Sequence, residues 1–166
     1  MIVKIKENNI NDIITIIRNA IVNMEAKGIY QWDDIYPNEE VLINDLNNGT
    51  LYGYIDEGAI KGIMVLNEYQ EKEYETLDWS FNYGKHLIVH RLCINPSYQG
   101  KGIAKKLMNF AEQYAQESGY ESIRLDAFTN NEAACNLYTG LGFREVGTVD
   151  FRKGKFYCFE KGIDVL

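Results

Sequence analysis

Gln99-Gly100-Lys101-Gly102-Ile103-Ala104 is the densest glycine motif of the chain, set between an apolar run and a helical repeat. Glycine there lets a ligand approach the main chain closely, because no Cβ shields the amides. Those amides belong to the first turn of the helix that follows, where unpaired N–H groups and the helix dipole favour an anion. Lys101, Lys105 and Lys106 lie in or beside the same turn. Cations at that end oppose the dipole by roughly 0.3–1 kcal/mol each, a conflict that a bound phosphate or pyrophosphate would turn into attraction. A helix start carrying surface lysines is the plainer reading of the same residues. Other glycine loops fit less well: the dinucleotide fingerprint needs Gly or Ala where Lys105 stands, and the Gly-Lys-Ser/Thr of nucleotide hydrolases is absent.

Asp126 interrupts an apolar stretch (Ile123, Leu125, Phe128), and a carboxylate in such a place needs a partner or a task. A salt bridge to Arg124 or Arg91, or a strand edge facing water, would satisfy it without chemistry. His90 belongs to the residue type that titrates near neutral pH, although a lone strand histidine commonly serves as a hydrogen-bonded core residue. His86 is the weaker of the two. Tyr138 lies along the apolar side of a short helical segment. Its phenol is protonated at neutral pH, which suits a proton donor; packing along that face is the alternative. Cys93, Cys135 and Cys158 are odd in number and lack CxxC spacing, so reduced thiols are expected. With two histidines they form no metal-ligand pattern, and none sits in an evident nucleophile setting.

The elements that must position these residues follow from periodicity. Ile2 to Lys6 alternates like a strand, and Ile10, Ile13, Ile14, Ile17, Ile21 and Met24 mark one face of a helix ending near Gly28. Pro37 is expected to open a short helix with Glu39 and Glu40 in its first turn. Leu51–Ile55 and Ile60–Leu66 read as a hairpin around Asp56-Glu57-Gly58. Residues 67–85 are polar, acidic and tyrosine-rich, an irregular excursion. Leu87–Ile94 suits a central strand buried on both faces and stopped by Pro96. A helix at Ile103–Tyr114, a strand at Ser122–Phe128, a helix at Asn131–Leu141 and a hairpin over 143–160 complete the order. That order predicts an α/β fold in one domain over 1–166: a central mixed β-sheet of six to seven strands with about four helices packed on both faces.

Net charge is −7, which disfavours nucleic acid as a partner. No apolar run is long enough to span a membrane and no secretory leader is visible, so a cytoplasmic protein is expected. Resolved along the chain, residues 1–78 carry −9, residues 79–111 carry +5 without a single acid, and residues 112–166 carry −3. The acid-free window contains the glycine motif.

Arg91-Leu92-Cys93-Ile94-Asn95-Pro96-Ser97-Tyr98-Gln99-Gly100-Lys101-Gly102-Ile103-Ala104 resembles the acyl-CoA-binding segment of GNAT-superfamily N-acetyltransferases, a strand ending in Val/Ile-x-Pro followed by Arg/Gln-x-x-Gly-x-Gly/Ala. Asn131, Ala134, Leu137-Tyr138 and Gly142-Phe143 resemble the family's downstream pattern. The resemblance covers roughly residues 86–145, with Ala104 replacing the second Gly of the family motif. It implies acetyl-CoA as the cofactor. Leu92, Cys93 and Ile94 would line the pantetheine arm, with the Ile94 N–H polarising the thioester. Gln99, Gly100, Lys101, Gly102, Ile103, Ala104 and Lys105 would wrap the pyrophosphate. Asn131 would touch the pantetheine side, and Tyr138 would face the sulfur and protonate the leaving thiolate. Asp126 would be the general base, as a carboxylate at that position is in some relatives, with His90 second.

Acceptor sites of similar proteins are built by the first helix pair and the late strands. Here those parts hold Tyr30, Trp32, Tyr36 and Trp79 among acids that include Asp33 and Asp34, which suits an amine that is cationic at rest. A solvated acidic surface over core aromatics is the alternative. The reading is acetyl transfer to a primary amine, of a small molecule or of a peptide or protein, in a ternary complex. A CoA-binding regulatory module of the same fold without turnover is the alternative from another class. Similar proteins are often homodimers, so that assembly is admitted.

Overall fold

Apolar periodicity becomes secondary structure close to where the spacing places it. The computed structural model describes residues 1–164. In chain order the elements are β1 (Ile2–Lys4), α1 (Ile10–Ala26), α2 (Glu39–Asn47), β2 (Leu51–Asp56), β3 (Ala59–Asn67), β4 (His86–Ile94), α3 (Ile103–Glu117), β5 (Ser122–Phe128), α4 (Glu132–Gly140), β6 (Arg144–Phe151) and β7 (Gly154–Gly162). The strands form one mixed sheet in the order β1-β2-β3-β4-β5-β7-β6. Two compact units share the chain: Met1–Leu66 with Arg91–Phe110, and Asn67–His90 with Ala111 onward. No helix among the described residues is long and apolar enough to cross a membrane.

In the first unit, α1 buries Ile13, Ile16, Ile17 and Ala20 against Leu42 of α2, Leu51 of β2, Ile63 and Val65 of β3, and Cys93. Each large aliphatic side chain buried there contributes about 1.5–3 kcal/mol. The β2–β3 hairpin turns through Glu57 and Gly58, both at positive φ (52° and 74°), as the sequence of that turn suggests. Helix α2 starts later than Pro37. Asn38 caps it, its Oδ1 accepting the Val41 N–H at 3.0 Å, and Glu39 and Glu40 occupy the first turn as expected. Gly62 of β3 allows α3 to come close: a Cβ there would lie 2.8 Å from Ile94 Cδ1 and 3.1 Å from Ile103 Cγ2 and Leu107 Cδ1. That approach fixes strand, loop and helix around the glycine motif.

In the second unit, β4 and β5 pair in parallel from His86↔Ser122 to Ile88↔Arg124. Strand β5 pairs antiparallel with β7 over its whole length, and β7 returns on β6 through a hairpin. Two expectations need correction. Strand β4 is buried at Leu87, Ile88, Val89 and Cys93, while His86, His90, Arg91, Leu92 and Ile94 are half-buried. The excursion over 67–85 is ordered, with a 3-10 turn at Lys72–Thr76 and buried Tyr74 and Trp79. Buried polar groups hold it. Arg124 donates to Gln70 Oε1 (2.7 Å) and Phe81 O (2.6 Å) and lies 4.4 Å from the Trp79 ring. Glu160, 1% exposed, accepts from the Ser80 N–H at 2.8 Å and from Arg144.

Candidate active site

Strand β4, a 3-10 turn at Pro96–Tyr98 and helix α3 present the glycine loop. Asn95 starts the turn, its side chain accepting from the Ser97 N–H (3.1 Å), while the Asn95 N–H donates to Lys61 O of β3 (2.9 Å). Gly100 and Gly102 adopt φ of +75° and +77°, a region costly for other residues, and a Cβ on either would meet nothing within 4 Å. The loop therefore holds a conformation that glycine alone takes without strain, beside open space. The first turn of α3 leaves its amides without helical partners until Lys106, whose N–H reaches Gly102 O at 3.1 Å. Lys101, Lys105 and Lys106 make no ion pair among the described residues. Lys101 stands 5.6 Å from the Tyr98 ring, and Lys106 donates to Tyr54 Oη at 3.3 Å. Cations outside any ion pair, beside amides without helical partners, fit a polyphosphate group. Gln99, at the head of the loop, accepts weakly from Asn23 (3.5 Å).

Ahead of the loop, Arg91 sits at φ +49° and turns its guanidinium onto Asp45 of α2 with bonds of 2.7 and 2.6 Å, donating also to Tyr36 Oη at 2.7 Å. Burial raises the Asp45 carboxyl against the lowering effect of that guanidinium. Cys93 points into the core, and burial pushes its thiol up to about 12. Leu92 and Ile94 are half-buried.

The groups suited to proton transfer gather in the second unit. Asp126 is half-buried on β5, two residues past the last β4 pair, and neither arginine pairs with it. Its Oδ2 accepts the Tyr74 hydroxyl proton at 2.7 Å, and its Oδ1 makes no hydrogen bond among the described residues. Burial raises the Asp126 carboxyl to about 6, the Tyr74 hydrogen bond pulling the other way. Tyr138 projects from α4, its ring 6.0 Å from Phe143 and 5.8 Å from Phe159. Burial first, then the Asp126 charge, push its hydroxyl well above the usual phenol range, so it stays protonated. Cys158 faces the same carboxylate and is likewise raised, mainly by burial. Sequence reasoning missed Tyr74; its only local signal was its place in a tyrosine-rich stretch.

His90 is held elsewhere. Its Nε2 lies 2.8 Å from Asn67 Oδ1 and 3.0 Å from Tyr69 O. A backbone carbonyl only accepts, so Nε2 carries the hydrogen and is a donor rather than a base. His86 bonds Ser122 Oγ at 2.8 Å. Asn131 caps α4, its Oδ1 accepting the Ala134 N–H at 3.2 Å.

The four aromatic residues expected to face an acceptor divide. Tyr30 is 55% exposed and Tyr36 37%. Trp32 and Trp79 are core rings instead: Trp32 packs with α1, and Trp79 packs tilted against Tyr74 at 5.2 Å and donates from Nε1 to Tyr74 O. Rings of that size bury because they remove the largest apolar area from water. A cleft of about 580 Å³ between α1 and the start of α2 is lined by Ile14, Ile17 and Ile21 together with Asp33, Asp34 and Glu40. Asp33 Oδ1 accepts the Ile35 and Tyr36 N–H groups, closing the loop that leads into α2.

A model of the acetyltransferase (GNAT) family matches residues 12–143. The N-alpha-acetyltransferase RimI of Mycobacterium tuberculosis is 32% identical over 101 residues, which is 61% of this chain and 50% of that protein. The curated relatives that the chain matches are longer, and the matched stretch spans between about a quarter and a half of their length. Among solved structures, a GNAT-family acetyltransferase of Streptococcus agalactiae superposes with TM-score 0.88 at 22% identity, covering 99% of this chain and 95% of that one. The PaiA N-acetyltransferase of Thermoplasma acidophilum, solved with coenzyme A, superposes with TM-score 0.74 at 18% identity over 98% of both chains.

Proposed function

We propose that this chain, which belongs to the acetyltransferase (GNAT) family, transfers the acetyl group of acetyl-CoA to an amine that is cationic at rest. The observation that carries the reading is Asp126, a half-buried carboxylate with one oxygen held, one free, and an affinity for protons raised to about 6. Such a group is ionised at neutral pH yet basic enough to accept a proton. The coenzyme A bound to the PaiA enzyme supports the donor, as do the loop lysines, which form no ion pair among the described residues.

Acetyl-CoA supplies a thioester whose carbonyl carbon accepts a nucleophile and whose sulfur leaves. The amides from Gln99 to Lys105 hold the phosphates, and the main chain of Leu92 to Ile94 aligns the pantetheine arm. Asp126 Oδ1 takes the proton from the acceptor's ammonium nitrogen, freeing its electron pair. The Ile94 N–H donates to the acyl oxygen as negative charge develops there. Tyr138 gives its hydroxyl proton to the departing sulfur as the nitrogen–carbon bond replaces the carbon–sulfur bond, and its phenolate takes the second nitrogen proton as the amide forms. Attack is direct. Cys93, with its thiol raised to about 12, is not a thiolate at neutral pH, and Cys135 and Cys158 are raised as well.

Asp34 and Glu40 of the α1–α2 cleft make no hydrogen bond or ion pair among the described residues and favour a cationic acceptor with apolar carbon. Calorimetric titration with coenzyme A, followed by thiol-release assays over a panel of amines, tests the reading. Saturable binding and turnover with at least one amine are expected. Absence of binding at millimolar ligand refutes the donor side, and binding without turnover on any amine leaves a regulatory module.

A further inference from the structure

We infer that Tyr74 is a positioning residue of the proton-transfer site, clamping Oδ2 of Asp126 so that Oδ1 alone is left to take the acceptor's proton. The inference rests on the reading of Asp126 as proton acceptor and assigns it a partner that the catalytic segments do not contain.

Tyr74 is 2% exposed, and its hydroxyl is 2.7 Å from Asp126 Oδ2. A phenol oxygen buried so completely needs a partner. Packing alone does not explain it, since a phenylalanine ring would pack equally against Trp79 at 5.2 Å. The surroundings of Asp126 make the hydroxyl matter. Glu71 and Tyr74 face it from the excursion, Tyr138 from α4 and Cys158 from β7. None of these is a cation, and among the described residues Tyr74 alone donates a hydrogen bond to the carboxylate. The hydroxyl therefore counters the desolvation that would otherwise hold the carboxyl protonated at working pH. It also fixes which oxygen is free.

The rest of the excursion exists in a form that holds Tyr74 still. Trp79 Nε1 donates to Tyr74 O at 2.9 Å, Arg124 ties Gln70 and Phe81, and Glu160 takes the amides of Ser80 and Phe81. These bonds flank Tyr74 on both sides in sequence. The segment acts as a brace for one hydroxyl.

The test is Tyr74→Phe, read first without turnover. Carbon-13 NMR of labelled aspartate carboxyls, with Asp126→Asn to assign the resonance, should give a midpoint near 6 for Asp126 in the wild type. In Tyr74→Phe that midpoint should rise by about one to two pH units, the value of a hydrogen bond to a charged group. In kinetics the acid limb of kcat/KM should move up by the same amount. The loss should be roughly 3- to 25-fold at pH 6.5 and within about twofold at pH 9. An unmoved midpoint, or an equal loss at every pH, overturns the positioning role. Should Tyr74→Phe fail to fold, 3-fluorotyrosine placed at position 74 alone makes that hydroxyl a stronger donor and should lower the Asp126 midpoint; no change overturns the role as well. Failure of the underlying reading looks different: Asp126→Asn would then keep full turnover while the NMR shift in Tyr74→Phe persists.

Discussion

Gly102 separates two effects that a single substitution would confuse. At φ +77° any side chain is strained by about 1–2 kcal/mol, yet a Cβ there meets nothing within 4 Å, so strain is the whole steric cost. That cost falls on the free and liganded protein alike. Gly102→Ala should lower the melting temperature by about 2–8 °C while leaving coenzyme A affinity within about tenfold of wild type. Gly102→Glu carries the same strain plus a carboxylate beside the phosphates. At roughly 5 Å, with an effective dielectric constant between about 20 and 80, each like-charge pair costs about 1–3 kcal/mol. Two phosphate charges bring the loss to about 30-fold or more. Gly102→Lys reverses the sign and should restore binding to at least the level of the alanine variant. Isothermal titration with coenzyme A at low and high salt reads all three, and salt should compress the difference between Glu and Lys. Equal affinity in the glutamate and lysine variants would refute the placement of the phosphates at this loop.

Three further outcomes follow from the same geometry. Tyr138→Phe should lower kcat by about 10²-fold or more with coenzyme A affinity unchanged; equal turnover removes Tyr138 from the reaction. Asp126→Asn should abolish the acid limb near 6 and most of the turnover. Since Asp126 holds its proton to about 6 in the folded chain and releases it near 3.9 when unfolded, its ionisation costs stability as pH rises through that window. The asparagine variant should therefore gain a few degrees in melting temperature at pH 8 relative to wild type and none at pH 4. Asp45→Asn leaves the Arg91 guanidinium buried beside Tyr36 alone. It should cost about 3 kcal/mol, roughly 6–12 °C in melting temperature, with much of the loss recovered in Asp45→Leu/Arg91→Met; a variant as stable as wild type would show that the pair carries no such role.

Local features were readable because they depend on neighbours in sequence. The hairpin at Glu57-Gly58, the glycine loop opening α3 and the face of α1 each follow from spacing over a few residues. Pairings that close over long chain distances were not readable. Tyr74 meets Asp126 across 52 positions, and Arg91 meets Asp45 across 46. Trp32 and Trp79 show the converse error: aromatic residues among acids look like a binding surface in one dimension, but the rings carry the most apolar area and fold inward.

By itself the sequence determined that a glycine loop set among lysines opens α3. Glycines at 100 and 102 and lysines without nearby acids are properties of a short stretch, and the dipole that uses them comes with any helix. Only the tertiary structure decided which groups can exchange a proton. The charge state of Asp126 depends on how much water is removed and which hydroxyl replaces it, and both are set by segments far apart in the chain.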